Sequence, residues 1–390
     1  MRNLFQSVKF KFYFHKFFLG KNQTRSFFNS KMKVQLEKNE ALDKYSWKEK
    51  VERQIATARA RFGEGEAQEP MSDYGNDIGY YGPATIGGQK FQLLFDTGSA
   101  DLWVPQIGYN NGMSTSHNTF DSDKSSTFKT NNKPFSITYG SGSTSGISAT
   151  DTFKFAGFTI KDQTFGLSDV VSPDFTDSPF DGILGLALDS LSSLRAKTPF
   201  HNLIDHGDVK SPVFSFVLGS KKDGTNKTGN ELIFGGIDPK YSESISYNQL
   251  DTKNGFWQIV MDDALVDGKS LELSKKSAII DTGTTLVIVP PQDANLVHSL
   301  IPGAQYVDGT YLIPTNTSVI VSLTFGGITY NIKTEYLVTY DAGNGQSVSG
   351  IQGGSVTGSD DVWLVGDVFL KNVCSVFDFK NRSVGFAALD

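Results

Sequence analysis

The 390-residue chain holds a single cysteine, Cys374. An intrachain disulfide and a cysteine-built metal site are excluded, so stability must come from a packed core. Cys374 lies in the apolar run Val373-Cys374-Ser375-Val376-Phe377 and reads as an inert core thiol. No apolar run is long enough to cross a bilayer as a helix. Histidine is scarce: His15, His117, His201, His206 and His298. None has a partner spacing that suggests a Ser-His-Asp triad. His201 and His206 stand five apart with no third ligand in view, so neither a metal nor another cofactor is expected. A Gly-rich phosphate loop is also missing. Residues 1–36 contain no Asp or Glu. Within them, Phe10 to Leu19 is aromatic but broken by Lys11, His15 and Lys16, which makes a poor secretory signal. The same acid-free composition fits an organelle transit peptide, and a misassigned gene start is a third reading.

Charge is unevenly spread. Residues 1–66 hold 15 Lys/Arg and 7 Asp/Glu, a net of +8, whereas residues 67–390 hold 21 and 35, a net of −14. So acidic a body argues against nucleic acid as a partner. The basic segment is either a solvated tail or a cover for an anionic cleft. Residues 46–61 read as a helix, with Ser46 and Glu49 as a capping box and Trp47, Val51, Ile55 and Ala58 on one face. Gly63 to Asp77 is polar and Gly-rich and reads as a linker. From Ile78 onward, 39 glycines in the chain and many Ser and Thr favour short strands with tight turns. Asn226, Asn316 and Asn381 head Asn-x-Ser/Thr sequons, usable only in a chain that enters the secretory pathway.

The chain is organised around Phe95-Asp96-Thr97-Gly98-Ser99, placed between the apolar runs Phe91-Gln92-Leu93-Leu94 and Leu102-Trp103-Val104-Pro105. A carboxylate between two apolar strands is costly unless it is hydrogen-bonded or functional. One Asp-Thr-Gly alone reads as an ordinary turn. A second copy, Ile280-Asp281-Thr282-Gly283-Thr284, changes that reading. Pro105 and Pro290 each stand nine positions after the Asp. Ile183-Leu184-Gly185 follows the first copy, and Leu364-Val365-Gly366 follows the second at nearly the same distance. Two halves with one order and spacing indicate an internal repeat, with Asp96 and Asp281 meeting across a pseudo-two-fold axis.

These residues resemble the pepsin-like aspartic proteases, and more loosely the fungal secreted members. The resemblance rests on Asp96-Thr97-Gly98-Ser99, Asp101-Leu102-Trp103-Val104-Pro105, Tyr139-Gly140-Ser141-Gly142, Phe180 to Ala187, Asp281-Thr282-Gly283-Thr284, Trp363 to Asp367 and Val376-Phe377-Asp378. It implies an all-β, bilobal fold with a central cleft. The expected organisation is a targeting-like segment at 1–30, a basic propeptide and linker at 31–73, an N-terminal lobe at 74–240 and a C-terminal lobe at 241–390.

The resemblance implies an aspartic endopeptidase made as a zymogen and active on proteins and peptides in acid. Asp96 and Asp281 are the expected catalytic pair. Two carboxyl groups that close share one proton over an acidic range, an effect for which this family is the standard illustration. One can then act as base toward a water while the other donates to the peptide carbonyl. Ser99 and Thr284 are expected to donate to the outer carboxylate oxygens, and Thr97 and Thr282 to tie the two turns together. Gly98 and Gly283 admit close backbone approach. Tyr139, Gly140 and Ser141 correspond to the tip of a flap over the cleft, with Trp103 hydrogen-bonded to Tyr139. Leu94, Phe180 and Ile183 match the family's apolar primary pocket, so large hydrophobic residues are expected beside the cut, with little preference for Lys. The resemblance further implies pepstatin-type inhibitors, no membrane association, a monomer, and an extracellular or acidic vacuolar or lysosomal location. The alternative is a catalytically inactive relative that binds peptides or inhibits other enzymes. Such relatives lose a catalytic Asp, a turn Gly or the flap Tyr, and here all are present.

Overall fold

The same five-strand order occurs twice in the computed structural model. In the first half, Tyr81–Ile86, Gln89–Asp96, Gly182–Gly185, Leu102–Pro105 and Phe158–Val171 lie side by side in that order. In the second, Gln258–Met261, Lys276–Ile280, Val362–Val365, Val287–Val289 and Ile351–Gly353 do the same. The structure describes residues 79–389, apart from 113–115, 140–141, 177, 220–230, 275 and 356–357. The helix expected at 46–61, the linker after it and the sequon at Asn226 lie outside the described residues, as do Gly140 and Ser141.

Each half builds its centre alike. The strand leading to the Asp runs parallel to a later strand, pairing Leu93 to Asp96 with Gly182 to Gly185 and Ser277 to Ile280 with Val362 to Val365. The strand leaving the Asp runs antiparallel to that same later strand, with Leu102 opposite Leu184 and Val287 opposite Val365. Near-continuous Ile, Leu and Val runs suit these positions because both faces are covered; all four residues of Gly182–Gly185 and of Val362–Val365 are buried. The crossing leaves no room for side chains where the chains touch. A Cβ on Gly185 would lie 2.4 Å from the Asp101 nitrogen, and one on Gly366 would lie 2.0 Å from the Thr284 oxygen.

The first sheet is extended by the hairpin Lys129–Tyr139 and Gly142–Phe155, giving seven strands to the second half's five. A short helix, Pro199–His206, is started by the Thr198 hydroxyl and stopped by Gly207 in the left-handed region at φ 72°. A further sheet joins strands from both parts of the chain: Ser246–Gln249, Ser383–Ala388, Val373–Asp378, Val213–Val217 and Glu231–Phe234. Phe214 stacks on Phe377 in it, with ring centroids 4.9 Å apart. Trp257 sits edge-on to both, and its Nε1 donates to the Leu186 carbonyl at 2.9 Å, tying the second half to the first. Cys374 is buried here, and burial pushes its thiol up to about 12, so no thiolate is available. No helix among the described residues is long and apolar enough to cross a membrane.

Candidate active site

The two Asp-Thr-Gly turns meet. Each strand ends by delivering its Asp into a turn whose local donors orient the carboxyl. Gly98 N–H donates to Asp96 Oδ1 at 2.8 Å and Ser99 Oγ to Oδ2 at 2.6 Å. In the other half, Gly283 N–H donates to Asp281 Oδ1 at 2.8 Å and Thr284 Oγ1 to Oδ2 at 2.7 Å. Both carboxyl groups are fully buried, which is tolerable because charge-assisted donors replace water.

The threonines cross between the turns. Thr97 Oγ1 donates to the Ile280 carbonyl and Thr282 Oγ1 to the Phe95 carbonyl, both at 2.9 Å. In return each hydroxyl accepts from the opposite backbone, Thr282 N–H at 2.9 Å and Thr97 N–H at 3.1 Å. In these four hydrogen bonds each hydroxyl donates once and accepts once across the axis. They bring the turns so close that a Cβ on Gly98 would lie 2.5 Å from the Asp281 carboxyl carbon. Only glycine fits there, and the contact places the second carboxyl against the turn that holds the first.

Around the pair, the first half supplies an apolar wall. Leu94, Trp103, Tyr139, Phe175, Phe180 and Ile183 form one buried cluster. Trp103 Nε1 donates to Tyr139 Oη at 2.8 Å, and Phe175 packs edge-on to both rings. Of the residues expected from the sequence, the structure therefore gathers Asp96, Thr97, Gly98, Ser99, Asp281, Thr282, Gly283 and Thr284 at the centre, with Trp103, Tyr139 and Ile183 in the wall.

Other contributors were not singled out in advance. Asp101 is buried and accepts from Ser192 Oγ at 2.6 Å, Ser193 N–H at 2.8 Å and Leu194 N–H at 3.2 Å. Burial outweighs these donors and holds its carboxyl above the usual carboxylate range. Asp181 accepts from Gln92 N–H and from both the backbone and side chain of Asn118, which anchors the segment bearing Phe175 and Phe180. His117 Nε2 lies 2.7 Å from the Ser178 carbonyl and pins the same segment. Their only sequence signal is a polar residue next to an apolar run, and their partners are up to 93 positions away. Among the described residues no cluster of His, Cys, Asp and Glu could hold a metal.

Residues 79–389 match the family model described as Eukaryotic aspartyl protease. The chain belongs to this family. It is 40% identical over 325 residues to the "Probable aspartic-type endopeptidase CTSD" of Arthroderma benhamiae, covering 82% of this chain and 62% of that protein. It is 39% identical over 316 residues to rhizopuspepsin of Rhizopus chinensis, covering 79% and 78%. It is 36% identical over 332 residues to pepsin A of Bos taurus, covering 82% and 87%. The chain thus spans under two thirds of the length of the Arthroderma relative and most of the length of the other two.

Proposed function

We propose that this protein is an acid endopeptidase that hydrolyses peptide bonds with a water held between Asp96 and Asp281. The observation that supports this most is the reciprocal Thr97–Thr282 tie, which presses the Asp281 carboxyl against the Asp96 turn. Two carboxyl groups held this close share a proton in acid. The ionised partner takes a proton from the water as its oxygen attacks the peptide carbonyl. The protonated partner hydrogen-bonds the carbonyl oxygen and transfers its proton as the gem-diol forms. The intermediate collapses with a proton passing to the leaving nitrogen, and no covalent bond to the enzyme forms. Gly98 and Gly283 N–H groups, with Ser99 and Thr284 hydroxyls, keep the two carboxyl planes fixed throughout.

The preferred substrate carries large hydrophobic residues at the cut, because Leu94, Tyr139, Phe180 and Ile183 form an apolar cluster that adjoins the Asp96 turn through Leu94. Burying one such side chain contributes about 1.5–3 kcal/mol, enough to dominate the choice. Residues 1 to about 70 act as an inhibitory segment: residues 1–66 carry +8 against −14 on residues 67–390 at neutral pH, and acid removes the attraction by protonating carboxylates while Lys and Arg stay charged. The test is to shift the purified full-length chain from neutral to about pH 4, following mass and haemoglobin digestion with and without pepstatin. The expected result is N-terminal cleavage together with pepstatin-sensitive digestion. Folded protein with no digestion at any acid pH would favour the inactive-relative reading. Full activity at neutral pH with residues 1–70 attached would exclude the zymogen.

A further inference from the structure

The body after residue 66 carries 21 Lys and Arg against 35 Asp and Glu, yet one groove reverses the balance. It has a volume of about 910 Å³ and spans the hairpin strands Lys129–Tyr139 and Gly142–Phe155, the neighbouring Phe158–Val171, and the loop at 193–197. Its charged lining is Lys129, Lys133, Arg195 and Lys197 against one acid, Asp162. Thr150 and Thr164 are among the polar residues that also line it. Lys129 Nζ is 2.7 Å from Asp162, and Lys197 pairs with Asp205. Lys133 and Arg195 make no ion pair among the described residues.

The groove is built rather than incidental. Arg195 adopts φ 53°, a costly conformation for a residue with a Cβ. The loop carrying it is held by three hydrogen bonds to buried Asp101, five residues from Asp96 in the same loop. Phe135 and Leu194 line the groove and also pack with the cluster that contains Trp103 and Tyr139. An occupant would therefore touch the supports of both the Asp96 turn and the hairpin tip.

We propose that this groove is an exosite for an acidic stretch of polypeptide, an Asp- and Glu-rich segment of a protein substrate. The assignment to a substrate rests on the endopeptidase reading; the binding does not. A polypeptide fits because an extended chain can lay successive carboxylates against the separated cations Lys129, Lys133, Arg195 and Lys197. Lys and Arg keep their charge in acid whereas Asp and Glu lose theirs near pH 4, so the segment should be held at mildly acidic pH and let go as the pH falls further.

The test uses full-length protein with Asp96→Asn, so that the probe is not digested. A rhodamine-labelled peptide of alternating Glu and Ser is titrated by fluorescence anisotropy at about pH 6 and about pH 3.5. Lys133→Glu with Arg195→Glu should weaken binding about tenfold, whereas Lys253→Glu with Lys269→Glu, exposed elsewhere, should change it less than twofold. Asp162→Asn should tighten binding, a gain that no folding defect can mimic. The basic first 66 residues are present in every variant, so differences between variants belong to the groove. Equal weakening by the two double variants, or no response to Asp162→Asn, would overturn the proposal. So would heparin binding that depends on Lys133 and Arg195 and survives acid while the peptide shows no such dependence, which would assign the groove to a sulfated glycan.

Discussion

The two halves are the same device with different neighbours. Strand order, pairing register and the four donors to the carboxyl groups repeat from Asp96 to Asp281. Seven residues after each Asp the copies diverge: Trp103 in the first, Ile288 in the second. Five residues after, Asp101 faces Leu286. The residue following the close-packed glycine is Leu186 in one half and Asp367 in the other. Only the first half adds the long hairpin that ends at Tyr139. Symmetry is kept around the two carboxyl groups and dropped in the elements that surround them.

The sharpest way to break this comparison is to unbalance its centre. Asp96→Asn and Asp281→Asn should each lower kcat at least a thousandfold, a barrier increase of roughly 4 kcal/mol or more, with folding retained. An amide keeps the shape and accepts from the turn N–H, but it cannot share the proton. Circular dichroism with acid peptide hydrolysis checks both points. A large difference between the two variants would mean that the halves do not contribute as a pair.

Much of this centre was legible in the sequence because it is written in short motifs. The duplicated Asp-Thr-Gly, the matching prolines and the later Ile-Leu-Gly and Leu-Val-Gly runs fall on strands that pair as the repeat requires. Contacts between distant polar residues were not legible. Asp101 belongs to a motif run, Asp101 to Pro105, but nothing local reveals its partners at 192–194. Trp257, within the expected C-terminal lobe, carries no local sign that its indole reaches back to Leu186. The sheet joining Ser246–Gln249 to Ser383–Ala388 also lies beyond any local pattern, since period-2 alternation marks a strand and not its neighbour.

A second contrast concerns histidine. His201, on the helix Pro199–His206, pairs with Asp189, which raises its pKa against the opposing effect of burial. Its contribution to stability is complete below the unfolded value near 6.5 and is lost as pH rises through the higher folded value. His298, in the second half, is buried under Tyr311 at a ring separation of 4.0 Å, with Nδ1 on the Ala294 carbonyl and Nε2 on Ser349 Oγ. Burial lowers its pKa to about 4. Its contribution has the opposite sign: present above about 6.5, and lost as pH falls toward 4. Between pH 7 and pH 4 this amounts to roughly 3 kcal/mol. His298→Gln should therefore lose less stability on acidification than the parent chain, read as the change in urea midpoint between the two pH values. His201→Asn should lose less on moving from about pH 6 to pH 8. Parallel pH dependence in both variants would remove the contrast.

The smallest expected effect tests the one-sidedness of the cleft. Trp103→Phe removes the 2.8 Å hydrogen bond to Tyr139 Oη but keeps an aromatic ring against Phe175. The smaller ring also gives up packing in the apolar cluster, so some global stability is lost along with the bond. Leaving a buried hydroxyl short of one partner costs about 1–2 kcal/mol. That cost falls on the position of Tyr139, so it should appear as a roughly 5- to 30-fold fall in kcat/KM for a peptide with a large hydrophobic residue at the cut. The matching substitution in the other half is Ile288→Val, where the side chain makes no polar contact and is fully buried. It should cost about 0.5–1.5 kcal/mol of stability through lost packing and leave kcat/KM within twofold. If the fall is in kcat, Tyr139 acts when the transition state forms; if it is confined to KM, Tyr139 only helps to hold the peptide. Equal kinetic effects of Trp103→Phe and Ile288→Val would show that position seven after the Asp serves packing in both halves and that the hydrogen bond to Tyr139 sets nothing in the cleft.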